Sequence, residues 1–268
     1  MIARSRRRSF ALVCGLTIAA AAPLHPLHAA VRPGAVGDAP TPPIRAGAGM
    51  LLVDQSTGCS ASSTASQRFT NLGGALLQSA DDFQVPASRS WTLQTVMVSG
   101  FFPKAGAMAQ SVDVLVYANN PAGSSGSPGG APGVLVCSSP ALVPAGGLGS
   151  PNFVLTLTPP CHLGPGTYWL SVIANQNAAT NGQWFWFERA SSAGYPFQVQ
   201  DPNGLVPTCP SWDTAAVCGL PAPQHDLCFS VSGVESVDIP ALGGTGMVVL
   251  SLLLAAAGLG LFRAHRGA

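Results

Sequence analysis

Six cysteines, Cys59, Cys137, Cys161, Cys209, Cys218 and Cys228, stand between a short apolar run near the start of the chain and a longer one near its end. No two of them form a Cys-x-x-Cys pair, and between Val31 and Pro240 only His162 and His225 accompany them, so structural zinc is a poor fit. An even number of thiols suits disulfides instead, although six cysteines leave the connectivity formally open. Sequence proximity favours Cys209 with Cys218 and Cys137 with Cys161, which leaves Cys59 for Cys228. Hydrolysis by a nucleophile needs a positioned base beside Ser or Cys. His162 follows Cys161 and His225 precedes Asp226, but no Gly-x-Ser-x-Gly elbow occurs. Glycoside cleavage needs two acids close together in a cleft. The only glutamates are Glu188 and Glu235, and Glu235 lies in the approach to the terminal apolar run. No catalytic residue is assigned on these grounds, and the chain is not expected to be an enzyme; a secreted hydrolase is the remote alternative.

The sharper feature is Trp184-Phe185-Trp186-Phe187. On a strand the two tryptophans share one face and the two phenylalanines the other. Exposed tryptophans could stack on sugar rings, with Gln183, Glu188 and Arg189 supplying hydrogen bonds. Buried between two sheets, the same cluster is core, and that is the favoured expectation. Asp201, Asn203 and Asp213 fall in a loop-rich stretch whose oxygens could hold Ca²⁺. Asp and Asn serve turns without any metal, and no cofactor is expected.

Short runs enriched in β-branched and aromatic residues must position these groups. They are Phe83 to Val85, Trp91 to Phe101, Ser111 to Tyr117, Gly133 to Cys137, Phe153 to Leu157, Thr167 to Ala174, Gln183 to Arg189, Phe197 to Val199 and Leu227 to Val231. Asn119-Asn120-Pro121, Gly164-Pro165-Gly166, Asn181-Gly182 and Asp201-Pro202-Asn203-Gly204 supply turn chemistry between them. Met50 to Val53 could open the sheet, whereas Ser56 to Ser66, dominated by Ser, Thr and Gly, reads as loop. Residues 121–132, PAGSSGSPGGAP, cannot bury enough apolar surface to order themselves and read as a flexible insertion. No long amphipathic helix is visible, so the expected class is all-β, an antiparallel β-sandwich or jelly roll over residues 50–233.

Between Val31 and Pro240 lie six basic residues (Arg32, Arg45, Arg68, Arg89, Lys104, Arg189) and eleven acidic ones, a net charge of −5. Nucleic acid is an unsuitable partner for such a surface, because binding to phosphates depends on clustered Lys and Arg. Half of the basic residues belong to the two ends. Arg4, Arg6, Arg7 and Arg8 precede an apolar run from Phe10 to Ala22 and a small-residue stretch ending at Ala30. That is the arrangement of a secretory signal peptide, residues 1–30, with cleavage near Ala22 or Ala30. Residues 31–49 are a Pro/Gly/Ala-rich lead-in. Leu242 to Phe262 carries no charge and is long enough to span a bilayer as a transmembrane helix, and the basic tail 263–268 should stay cytoplasmic. The segment between is then outside, where thiols oxidise.

Ile239, Pro240, Ala241 and Leu242, in the linker 234–241 and at the head of the span, resemble the IPTL-CTERM type of bacterial sorting tail, related in design to PEP-CTERM tails. Ala241 stands where Thr is usual, and Gly243-Gly244 also resembles GlyGly-CTERM tails. The resemblance implies a membrane protease or transpeptidase as partner, one that cuts near the motif and releases the domain or attaches it to the envelope. A plain single-span anchor in the inner membrane is the simpler alternative. The run DDFQVP, the Trp91 strand, VLVYANNPAG, PGVLV, LGPGTYWLSVIAN, GQWFWFER and HDLCFSVSG together resemble a β-rich domain of bacterial secreted proteins that carries such tails. This implies fold and location, not an activity. The expected function is a non-enzymatic surface protein of a Gram-negative cell envelope or extracellular matrix, with extracellular polysaccharide as a possible neighbour. Carbohydrate binding through Trp184 and Trp186 is the alternative.

Overall fold

Alternation of covered and open positions shows why these segments are strands. In β7 (Ser111–Asn119) Val112, Val114 and Val116 are buried while the residues between them are partly open. That is the period of two for a strand with one covered face. β9 (Phe153–Leu163) turns Phe153, Leu155, Leu157, Cys161 and Leu163 inward. β10 (Gly166–Gln176) is buried at every position from Trp169 onward, because it is flanked in its sheet and covered on both faces. The computed structural model describes residues 49–205, 209–220 and 225–237. The expected leader, the sorting motif Ile239 to Leu242 and the expected span 242–262 lie outside them. Among the described residues no helix is long and apolar enough to cross a membrane.

The strands form three sheets. One has the order β1 (Met50–Asp54), β14 (Phe229–Val237), β5 (Arg89–Val98), β9. A second has the order β13 (Asp213–Thr214), β12 (Gln198–Gln200), β4 (Ala75–Val85), β3 (Gln67–Phe69), β10, β7, β8 (Pro132–Leu142). The third has β2 (Cys59–Ala65), β11 (Phe185–Arg189) and β6 (Gly100–Phe101). Every pairing is antiparallel except β3 with β10. The helical turn α1 (Ala178–Asn181) is capped by the Asn177 side chain and ends at Gly182, whose φ of 71° a side chain would disfavour. The described residues are thus almost wholly β and largely antiparallel, which fits the expected all-β class.

The sheets share one core. Phe83 of β4 lies 6.3 Å from Trp91 of β5 and 6.5 Å from Phe229 of β14, and Trp184 stacks on Phe153 of β9 at 4.7 Å. Three cystines tie it: Cys59–Cys228, Cys137–Cys161 and Cys209–Cys218, the pairs that sequence proximity favours. Cys137–Cys161 joins β8 to β9, the edge strands of the two larger sheets.

Two expectations need correction. Ser56 to Ser66 is not all loop, since residues 59–65 form β2. Its composition hides the strand because the apolar cover comes from its partner: Trp186 faces Thr64 and Phe187 faces Ser63. Two of its hydroxyls are met, Thr64 Oγ1 by Ser79 Oγ at 3.3 Å and Ser60 Oγ by the Glu188 carbonyl at 3.1 Å. Residues 121–132 are not a free insertion either. The Gly126 N–H and the Ser125 hydroxyl donate to the Asp213 carboxylate, the Asn119 side-chain amide donates to the Gly129 carbonyl, and the Tyr195 ring lies against Gly130. A distant carboxylate organises a segment that cannot organise itself.

Candidate functional site

β11 lies between β2 and β6, and alternation sends Trp184, Trp186 and Glu188 to one face and Phe185, Phe187 and Arg189 to the other. Both tryptophans are fully buried. Trp184 Nε1 donates to the Pro151 carbonyl and Trp186 Nε1 to the Cys228 carbonyl, each at 2.8 Å, which satisfies the polar end of each indole inside the core. No sugar ring can stack on either one, so the glycan contact expected of an exposed Trp184 and Trp186 is not available. Glu188 is buried on the same side, with neither carboxyl oxygen hydrogen-bonded. Burial pushes it up to about 8, so it is protonated at neutral pH. Arg189 turns away to donate to the Thr57 carbonyl at 3.2 Å and the Gln55 amide oxygen at 3.4 Å, and it pairs with Asp226 at 3.6 Å.

The Asp226 contact leads to a group of acids that sequence reading does not single out. Asp81 and Asp82 sit side by side on β4, a strand covered on both faces there, and Asp226 precedes Leu227, which bridges to Glu188. All three are buried. Each accepts a backbone N–H from another segment: Leu227 to Asp81 at 2.7 Å, Tyr195 to Asp82 at 2.7 Å, and Ala193 to Asp226. Burial raises Asp81 well above the usual carboxylate range, and the Asp226 charge adds to this. Burial also pushes Asp82 up to about 7, with the same charge contributing, against the Tyr195 hydrogen bond. Burial raises Asp226 too, opposed by the Ala193 hydrogen bond, Arg189 and His225. Like charges in a dry site cannot all ionise, so the group holds protons at pH 7. Raised carboxyls are what a general acid requires, but these are closed off from solvent. In this geometry Asp82 fastens residues 190–197 onto β4, Asp81 fastens the 226–227 segment onto β4, and Asp226 ties that segment to Ala193. Gly194 fits only because it lacks a side chain, since a Cβ there would lie 2.4 Å from Asp82 Oδ2.

The remaining candidates are dispersed. His225 Nδ1 is 3.4 Å from Ser192 Oγ, and His162 Nδ1 is 2.8 Å from Thr92 Oγ1, both pairs exposed. Asp201 accepts from the Asn203 N–H, Asn203 accepts from the Leu76 N–H, and Asp213 serves residues 125 and 126. These oxygens work as turn and loop ligands rather than as a convergent cation shell. Among the described residues no three His, Cys, Asp or Glu side chains form a set that could hold a metal ion.

No family model matches this chain, and neither the curated proteins nor the solved structures offer a match. The reading of the site therefore stands on geometry. On the face of β11 opposite the tryptophans, Phe101 stacks on Phe185 at 5.4 Å and on Phe187 at 5.3 Å, and Phe101 and Phe187 are only partly covered. The partly open aromatic of this strand is a phenylalanine, Phe187, a distinction that an alternating Trp-Phe-Trp-Phe run cannot reveal.

Proposed function

We propose that this is an exported, non-enzymatic surface protein of a bacterial cell envelope or extracellular matrix, folded as a β-sandwich and sorted through the tail that begins at Ile239. The observation that carries the reading is the set of three cystines, which engages every cysteine between Gly49 and Val237. Disulfides of this density persist in oxidising compartments. The basic and apolar leader and the charge-free run 242–262 supply the route there. The partners of this reading are the inner membrane before processing, a membrane protease or transpeptidase at the motif, and extracellular polysaccharide. Intact-mass and peptide analysis of the protein from fractionated cells tests it. The expected product begins after Ala22 or Ala30, lacks Cys14 and carries six oxidised cysteines; a full-length reduced chain in the cytosol overturns the proposal.

Carbohydrate binding is the second reading, and it moves off the tryptophans to the partly open Phe101 and Phe187 rings, which present apolar faces of the kind sugars stack on. A glycan array in which Phe187→Ala abolishes a signal given by the parent supports it, and an array blank for the folded parent removes it.

A further inference from the structure

Among the described residues, seven of the ten exposed large hydrophobic side chains gather at one end of the fold. Met50 and Leu51 on β1 are each 53% exposed, and Val234 and Val237 on β14 are 48% and 56% exposed. β1 and β14 are antiparallel, with Met50 opposite Gly233, so these four residues share the end at which β14 runs out. Residues 134–136 on β8 make up the seven. The register carries that position across the second sheet: Arg89 pairs with Val237 and Trp91 with Leu163, the turns 86–88 and 164–165 connect the sheets there, Gly166 pairs with Val85, and Tyr117 pairs with Leu135. Both turns are exposed and uncharged. Among the described residues of this rim, Arg89 and Glu235 pair with each other at 3.1 Å.

A soluble domain rarely gathers apolar side chains in this way without a partner. The chain itself says which partner. After Val237 only residues 238–241 precede the charge-free run from Leu242 to Phe262, and even fully extended they reach about 14 Å. Whatever the apolar run enters, Val237 is held close to it, and the rest of the rim lies at the same end of the sheets. The geometry points to the rim formed by β1, the end of β14 and the start of β8 as a membrane-docking surface that rests on the headgroup and acyl boundary of the bilayer holding residues 242–262. This rests on the proposed anchor and adds to it a defined orientation, with the Val98 and Phe229 end of the sheets pointing away from the lipid.

The test uses the full chain reconstituted in phosphatidylcholine and phosphatidylglycerol vesicles, with acyl-chain-brominated phosphatidylcholine as quencher of tryptophan fluorescence. Val234→Trp and Val134→Trp place a reporter on the rim. Val143→Trp places one at the opposite end, since Val143 is 66% exposed beside the start of β9, where Phe153 pairs with Val98. Flotation of each variant on a density gradient and an unchanged near-UV spectrum accompany the measurement. The expected result is that the added rim emission is quenched at least about twice as strongly as the emission added at position 143. Equal quenching at both ends, with the chain floating alongside the vesicles, overturns the docking surface and leaves the anchor standing. A chain that stays at the bottom of the gradient overturns the anchor and the docking surface together.

Discussion

Replacing Glu188 with methionine should stabilise this protein, and by an amount that grows with pH. The buried carboxyl has no hydrogen-bond partner on either oxygen and is held up at about 8, against 4.5 for the same group in an unfolded chain. The folded state therefore keeps a proton that the unfolded state releases. Stability is highest below the unfolded value and falls by about 1.4 kcal/mol per pH unit as pH rises toward the folded one. At pH 7 the accumulated loss is on the order of 3 kcal/mol. Methionine, similar in length and indifferent to pH, fills the space beside Trp186 and Leu227 without that loss. Urea unfolding at pH 4, 5.5, 7 and 8.5, with the cystines intact, measures the effect. The two proteins should differ little at pH 4, and the variant should lead by roughly 2 to 3 kcal/mol at pH 7. Because the aspartate group contributes its own slope, the variant should lose one proton's share of the pH dependence rather than all of it. A variant less stable than its parent at pH 7, or a gap that does not widen between pH 4 and pH 7, would refute the reasoning.

Asp82→Asn keeps an oxygen to accept the Tyr195 N–H but cannot ionise, so hydrogen exchange of residues 190–197, corrected for intrinsic rate, should accelerate between about pH 4 and 7 in the parent and less in the variant. Gly194→Ala should cost at least about 1 to 3 kcal/mol in thermal or urea unfolding, because its Cβ would collide with the Asp82 carboxylate. Removing Cys59–Cys228, whose partners are 169 residues apart, should cost about 5 kcal/mol on the chain-entropy estimate, roughly twice the cost of removing Cys209–Cys218, which closes a separation of 9. Asp213 is held below the usual carboxylate range: its slight burial would raise it, but hydrogen bonds from Ser125, Gly126 and Thr214 prevail. Its hold on residues 121–132 should therefore persist at neutral pH and fail in acid, and Asp213→Ala should expose that segment to limited proteolysis at pH 7.

Much of the sheet could be read from the chain because period and turn chemistry agree there. Val112, Val114 and Val116 alternate cleanly, and Gly164-Pro165-Gly166 separates β9 from β10 as its residues require. β2 was illegible for a physical reason: a strand of Ser, Thr and Ala has no apolar face of its own and borrows one from Trp186 and Phe187 on β11. The strand expected from Phe83 in fact begins at Ala75, and its Asp81 and Asp82 can enter a core because Leu227 and Tyr195 supply N–H groups to their carboxyls. The aromatic run fixed which residues share a face but not which face is covered, because that depends on Phe153 and Phe229, far away in sequence. A signal for the acid cluster did exist: two adjacent aspartates running directly into Phe83 and Val85, where a solvated pair would be expected beside polar neighbours.

The Cys59–Cys228 bond makes a covalent ring of nearly the whole domain, from β2 to the threshold of β14. A single proteolytic nick at any loop inside that ring opens it without shedding a fragment, so the damaged molecule keeps its mass until it meets a reductant. If residues 242–262 anchor the domain as proposed, liberation from that membrane has to come from a cut beyond Cys228, in the short stretch leading to Leu242. A domain closed in this way can endure proteases in its surroundings, and the proposed anchor would leave it releasable only outside the ring.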